Sequence, residues 1–504
     1  MRGSGKGLTT LLIALAVAAS ACGVQRPAGK EGGHAPEPSN WQMEDVSASP
    51  ADSSAFDLPA AASPSGALSA RSSAGSSKPA AGGGSVTSVT RRASDRGVSP
   101  NEIALGLVAS KSDSLAQFGW SPDYENTQEA MVRPFVEEIN ASGGIDGRKL
   151  VVKVSEYNAT SEDEMQAACV EQAEDFKVFA SLAVWSFGYM GEACMGEKQV
   201  PLLTGDPGLG YDISGKPKTW VRRTTINKER AVRNFADWLV STKRVKGSDR
   251  IGVTYTDVPE DRKMVYEVFV PYLKQKGLNV VEVAGSSVGT YESGSTEAQA
   301  MTLKFKANNV QVVLPVASFL HNYLFLVQAD AIAYKPKYFV TDIGSLTLDV
   351  VDFYPLSQWQ GVEGFTVWRT GDHPLTDLPN TPAYKECLRV YQSRGGKFDP
   401  DPNDSTRPEW TQVWNVGSLC GLLHQFAEAV HRAGVNPTRK GFLAAIDSLR
   451  AWNDRVAVTE KLTFTPSKLD GADMFAVIRF SPACGSGNSV GCYKQVEGFR
   501  KGTW

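Results

Sequence analysis

The stretch FVEEINASGGIDGRKLVV, residues 135–152, holds the end of an amphipathic helix, a reversal and the start of a strand. The helical run at 124–141 stops at Ser142-Gly143-Gly144, where glycines allow the positive φ of a left-handed C-cap. Strand candidates lie on either side, at 102–109 and 149–156. Working outward, Ser161-Glu162-Asp163-Glu164 reads as a capping box that opens a second helix. Further strands are predicted at 178–185, 200–204, 250–256, 279–283, 310–315 and 337–341. Helices are predicted near 227–242, 260–277, 296–308 and 318–332. Strands alternating with helices argue for parallel sheets covered on both faces. About four hundred residues of this texture exceed what one core holds, so two α/β lobes are expected.

The whole chain has 504 residues, 42% hydrophobic and 21% charged, with formal net charge −3. Mean hydropathy is −0.23. That balance excludes a disordered polymer and leaves no electrostatic footprint for nucleic acid, because Lys and Arg are evenly spread. Arg222-Arg223 and Lys243-Arg244 read as solvated helix ends and loops.

The N-terminus differs from the rest. Arg2 and Lys6 precede an apolar run at 8–19, and Ser20-Ala21 precede Cys22. This is the pattern of a secretory signal peptide over residues 1–21. Small residues before a cysteine resemble the lipobox of bacterial lipoproteins, although Ala19 stands where that family prefers Leu. The resemblance implies lipidation at Cys22 and an extracytoplasmic body held on the cell membrane by its lipid anchor only. Residues 22–98 are dominated by Ala, Ser, Gly and Pro and read as a tether without a core of its own.

The body carries a resemblance of its own. EIALGLVASKSDSLAQFG at 102–119 and Glu138-Ile139-Asn140 through Gly147-Arg148-Lys149 resemble the opening of the branched-chain amino-acid binding proteins. VFASLAVWSFG at 178–188, QVPLLTGDPG at 199–208, DRIGVTYTD at 249–257 and WTQVWNVGSLCGLLHQFAEAVHRAG at 410–434 continue it. The resemblance implies the type I periplasmic-binding-protein fold: two doubly wound lobes joined by three crossover strands, closing on a ligand between them. Lobe one would be 99–224 plus 363–455, and lobe two 225–362 plus 456–504. It further implies a substrate-binding lipoprotein of an ABC importer, with a small-molecule ligand and an ABC permease as partners. A ligand-sensing receptor subunit on the same fold is the alternative.

Beyond Cys22, six cysteines remain, an even number that favours disulfides in an exported protein. The resemblance implies a bridge between Cys169 and Cys194. Cys484 and Cys492 bracket a loop between two apparent strands and suit a hairpin staple. Cys387 and Cys420 remain, and the sequence leaves their pairing open.

By the same resemblance, the ligand would meet loops after successive strands. Phe118 would pack on it after strand one. Ser186 and Phe187 would line the turn after strand three, and Thr204 and Asp206 the loop after strand four. From lobe two, Glu260, Phe319 and Asp342 would face the cleft. Trp185 and Phe187 make this set more aromatic than the family pattern, so the expected ligand is an amino acid, an amide, or an aromatic or acyl acid. No catalytic residue, cofactor or metal site is expected. The five histidines, His34, His321, His373, His424 and His431, lack ligand spacing, and no nucleophile stands with a base.

Overall fold

The computed structural model describes residues 90–111, 113–114, 127–184, 187–287, 291–348, 351, 354–368, 382–401, 404–408, 410–452, 461–484 and 491–502. The expected signal peptide, Cys22 and most of the tether lie outside these residues.

The chain first lays down β1 (Glu102–Ser110), α1 (Gln128–Ala141), β2 (Lys149–Tyr157), α2 (Glu162–Val170), β3 (Ala180–Ala183), α3 (Gly188–Glu197), β4 (Leu202–Thr204) and β5 (Val221–Arg223). The five strands form one parallel sheet in the order β2-β1-β3-β4-β5. The reversal after α1 is built as its residues dictate. Gly144 has φ +74, and a Cβ there would stand 2.0 Å from the Arg148 carbonyl oxygen. Asn140 then pins the new strand, donating from Nδ2 to the Leu150 carbonyl (2.9 Å) and accepting from Leu150 N–H (2.8 Å). Ser161 caps α2 by accepting from Glu164 N–H (3.3 Å). The Glu164 carboxylate turns to Asn158 N–H (2.9 Å) and Lys111 (2.8 Å) instead of closing the box on Ser161.

The second series is α4 (Lys228–Ser241), β6 (Arg250–Thr256), α5 (Pro259–Lys263), α6 (Val270–Gln275), β7 (Asn279–Ser286), α7 (Tyr291–Ala307), β8 (Val312–Val316), α8 (Phe319–Ala331), β9 (Lys337–Thr341), α9 (Leu356–Trp359) and β10 (Glu363–Thr366). A π-helical turn, Met264–Phe269, joins α5 to α6. The chain then makes α10 (Pro382–Ser393), a small ribbon of β11 (Pro400–Asp401) and β12 (Asp404–Pro408), α11 (Trp410–Arg432), α12 (Arg439–Asp447), and a closing hairpin of β13 (Met474–Ser481) and β14 (Cys492–Lys501). The second sheet runs β14-β13-β10-β9-β8-β6-β7, parallel from β7 to β10 and antiparallel at the hairpin. Because β10 pairs within this sheet, the chain returns to the first body after residue 366 and not at 363.

Three passages join the two bodies. Residues 224–227 lead from β5 to α4. Val367 and Trp368 leave β10, and residues 463–473 lead from α12 towards β13. The first and third run side by side, with Gly471 N–H donating to the Arg223 carbonyl (2.8 Å) and Ala472 N–H to the Thr225 carbonyl (3.0 Å). In the first body, Phe179 packs edge-on against Phe426 of α11 and Phe442 of α12, and Phe135 of α1 stacks on Tyr391 of α10. Buried apolar area of this kind contributes roughly 25 cal/mol per Å². In the second body, Trp238 of α4 meets Phe339 and Phe365 on the sheet. Disulfides tie α2 to α3 (Cys169–Cys194) and α10 to α11 (Cys387–Cys420). Cys492 is also disulfide-bonded, while the side chain of its expected partner, Cys484, lies outside those described.

The segment ahead of β1 is fastened to the first body. Arg92 N–H donates to Asn436 Oδ1 (2.9 Å), Ser94 Oγ to the Pro437 carbonyl (2.7 Å), and Arg439 N–H to Asp95 (2.7 Å). Gly97 lies against the Phe179 backbone, at the start of β3. Among the described residues, no helix is long and apolar enough to cross a membrane.

Candidate functional site

In both sheets the strand order reverses beside one strand: β1 lies between β2 and β3, and β6 between β7 and β8. Loops that follow the strands at such a reversal open a crevice at their carboxyl ends. Two strand-end loops touch across the bodies. Leu209, after β4, donates its N–H to Glu260 at the start of α5. Lys218 Nζ stands 3.6 Å from the same carboxylate. The β4 loop is fastened further by Lys228 N–H to the Gly208 carbonyl (2.9 Å) and Gly210 N–H to Glu229 (3.2 Å).

Arg223, the last residue of β5, holds that loop in shape. Its Nη1 and Nη2 meet the two oxygens of Glu192 at 2.6 Å each. The same nitrogens donate to the carbonyls of Asp206 (3.0 Å) and Leu209 (3.2 Å), and Nε donates to Asn227 Oδ1 (3.2 Å). All five donors of the guanidinium fork are thus used. Gly208 makes room for it: a Cβ at that position would sit 2.5 Å from Nη2.

The charges around this fork are buried and mutually dependent. Burial pushes the Glu192 carboxyl up, but Arg223 and Lys218 outweigh it and hold the group down at about 2. Lys228 is opposed by burial and raised by Asp261, with which it pairs at 2.5 Å. Burial raises Asp261 and Glu229 above their ordinary values, Asp261 against the pull of Lys228 and Glu229 against its own and the Gly210 N–H groups. Low local dielectric makes each of these interactions stronger than it would be in water.

Of the residues expected in a ligand site, Phe118 and Ser186 lie outside the described residues, as does Trp185. Thr204 is buried and accepts from Asp206 N–H (3.1 Å), and Asp206 lends its carbonyl to Arg223. These two and Glu260 are brought together. Phe187 is in the core instead, its ring 5.3 Å from that of Tyr157. Phe319 begins α8 in the second core, and its carbonyl accepts from the Tyr354 hydroxyl. Asp342 is fully committed inside the second body. It accepts from Thr347, from Thr366 Oγ1 (2.6 Å) and from Val367 N–H (2.7 Å). Burial raises its carboxyl to about 6 against those three hydrogen bonds.

The reading of Arg222-Arg223 as solvated is corrected by the structure. Both are buried on β5, Arg222 paired with Asp447 (2.6 Å) and Arg223 with Glu192. Lys243 is exposed, but Arg244 lies over Trp238 (4.5 Å) and pairs with Glu363 and Glu497. Glu192, Lys218, Lys228 and Asp261 escaped the sequence reading as well. None carries a motif, and their partners come from separate elements. The available signal was a pair of arginines placed just before a lobe junction. His424 is buried in α11, and His321 is held between Ser318 Oγ (2.6 Å) and the Ser287 carbonyl (3.0 Å).

Comparison with known proteins follows this geometry. A family profile described as periplasmic binding protein matches residues 102–472. The Leu/Ile/Val-binding protein homolog 8 of Brucella abortus (strain 2308) is 25% identical over 215 residues, 40% of this chain and 49% of that protein. The chain therefore spans about half the length of the curated relatives it matches. A branched-chain amino acid ABC transporter structure from Thermus thermophilus, with bound valine, superimposes with TM-score 0.58 at 15% identity, covering 80% of this chain and 98% of that one. The solute binding protein of an ABC transporter from Rhodopseudomonas palustris BisB5, in complex with 3,4-dihydroxy benzoic acid, gives 0.57 at 12% identity, with coverage of 80% and 98%. At these identities the two structures establish the shared fold. The family profile and the Brucella relative both carry the description of binding proteins.

Proposed function

The chain belongs to the periplasmic binding protein family, and from that premise we propose that it captures a small organic solute between its two bodies and hands it to an ABC permease. The observation that carries this reading is the contact of Leu209 with Glu260. It brings a strand-end loop of one sheet against a strand-end helix of the other, where a solute would be enclosed. The relatives with bound valine and 3,4-dihydroxy benzoic acid set the size class of solute that supports the reading. Binding stabilises the closed arrangement at the expense of open ones, a population shift about the three passages. Cys22 is the proposed lipid anchor, which keeps the body at the outer face of the cell membrane.

A thermal-shift screen of the protein against small amines, amides, amino acids and organic acids tests this. A solute present at one hundred times its dissociation constant adds about 2.7 kcal/mol of stability. A saturable shift with one solute class supports capture. A flat response from folded protein across every class overturns it.

A further inference from the structure

We propose that the cleft accepts a cationic solute, an amine or guanidinium compound, and turns away carboxylates, with Glu260 as the residue that sets this preference. The inference rests on the capture reading above and adds the charge class of the solute.

Two observations carry it. The first is that, among the described residues, the buried cations beside Glu260 are already paired with carboxylates of the protein. Glu260 reaches from the second body and accepts the N–H of Leu209 in the first. Its other oxygen lies 3.6 Å from Lys218 Nζ. Lys218 is also bound to Glu192 at 2.7 Å, Arg223 is bound to Glu192 through both nitrogens, and Lys228 is bound to Asp261. Lys111, at the end of β1, is paired with Glu164. Arg262, just beyond Asp261, is paired with Asp257 at 2.8 Å. The protein's own carboxylate fills the place of a solute's.

The second is the balance of charge. Four carboxylates, Glu192, Glu229, Glu260 and Asp261, share one buried network with three cations, Lys218, Arg223 and Lys228. Among these seven groups negative charge exceeds positive by one, and removing charge from water is costly unless it is balanced. Burial raises both Glu229 and Asp261 above their ordinary values. Tyr189 donates its hydroxyl to Glu162 (3.4 Å), and Tyr211 lies in the field of Glu229, Glu267, Glu260 and Arg233. The Tyr211 ring already holds one cation, with Lys263 Nζ 5.8 Å from its centroid. Aromatic faces beside carboxylates suit an ammonium or guanidinium and not an anion.

The test uses the whole purified chain, with agmatine and putrescine as cationic probes and leucine, 4-hydroxybenzoate and octanoate as carboxylate probes. Titration calorimetry reads each dissociation constant. The expected result is that agmatine or putrescine binds at least tenfold more tightly than any carboxylate. Glu260→Gln, which removes one negative charge and leaves Lys218 with Glu192 as its remaining carboxylate partner, should weaken the cationic probe at least tenfold and strengthen a carboxylate. Should that variant fail to fold, the wild-type panel decides alone. Tighter binding of leucine, 4-hydroxybenzoate or octanoate by the wild-type protein leaves the capture reading standing and overturns this one. An unchanged preference in a folded Glu260→Gln protein also overturns it. Silence with every probe of either charge counts against both.

Discussion

Arg223 and Glu192 meet through two contacts of 2.6 Å, with their side chains 2% and 6% exposed. Each is the other's bidentate counter-charge at that depth, with Lys218 as a second cation on Glu192. Removing one partner of a buried pair strands the other, which typically costs about 3–5 kcal/mol. Glu192→Ala should therefore lower stability in denaturant titration by that order. Arg223→Lys should also lose stability, because a lysine cannot span the five acceptors that the guanidinium fork reaches.

Asp342 makes the stability of the fold depend on pH. Its carboxyl is raised from 3.8 to about 6 by burial, so the folded protein binds its proton more tightly than the unfolded chain. Stability from this group is complete below about pH 4 and is lost as pH rises through 6. The loss is on the order of 2–3 kcal/mol. Asp342→Asn should abolish that dependence, so that its melting temperature gains on the wild type as pH is raised from 4 to 8. A constant difference across that range would show that the carboxyl titrates normally.

The turn after α1 separates two neighbouring glycines. Both have positive φ, +100 at Gly143 and +74 at Gly144, but a Cβ at Gly143 meets nothing within 4 Å. Gly143→Ala should cost about 1–3 kcal/mol from backbone strain alone. Gly144→Ala should cost more, because its methyl group would collide with the Arg148 carbonyl. Equilibrium unfolding of the two variants side by side reads the difference.

The two disulfides brace pairs of helices within the first body. Their sequence separations are 25 for Cys169–Cys194 and 33 for Cys387–Cys420. Each cross-link is expected to stabilise by about 2–4 kcal/mol. Cys169→Ala/Cys194→Ala and Cys387→Ala/Cys420→Ala should each lower the melting temperature. In wild-type protein, a reductant, which acts on all the bridges together, should produce a larger fall.

The proposed anchor makes a separate prediction in cells. Cys22→Ala should move the protein from the membrane fraction into the medium or periplasm. Retention in the membrane fraction would rule out thioether lipidation at that residue.

Much of the architecture was legible because hydrophobic runs and caps are local signals. The strands at 250–256 and 337–341 match the structure residue for residue, and Ser142-Gly143-Gly144 closes α1 as its glycines require. β5 was not legible. A three-residue strand reading Val-Arg-Arg has no apolar alternation, and its burial depends on acids on α3 and α12. The site shows the same division. Thr204, Asp206 and Glu260 stand at or just beyond the ends of strands, as the sequence places them. The network that decides their surroundings joins residues 31 positions apart for Arg223 with Glu192 and 51 apart for Leu209 with Glu260. Such pairings are set by topology and leave no periodic trace in the chain. Asp342 shows the converse, since its position was read correctly while its hydrogen bonds turn it inward.

The fastening of residues 92–97 has a mechanical consequence. Tension arriving from the chain ahead of residue 90 enters where β3 begins and is shared by the bonds of Arg92, Ser94 and Asp95 to the loop between α11 and α12 and to Arg439. The junction of Leu209 with Glu260 is at the opposite end of the first sheet and carries none of that load. Mooring and mouth point apart. The fastened segment and the junction of the two bodies thus occupy opposite ends of the first sheet.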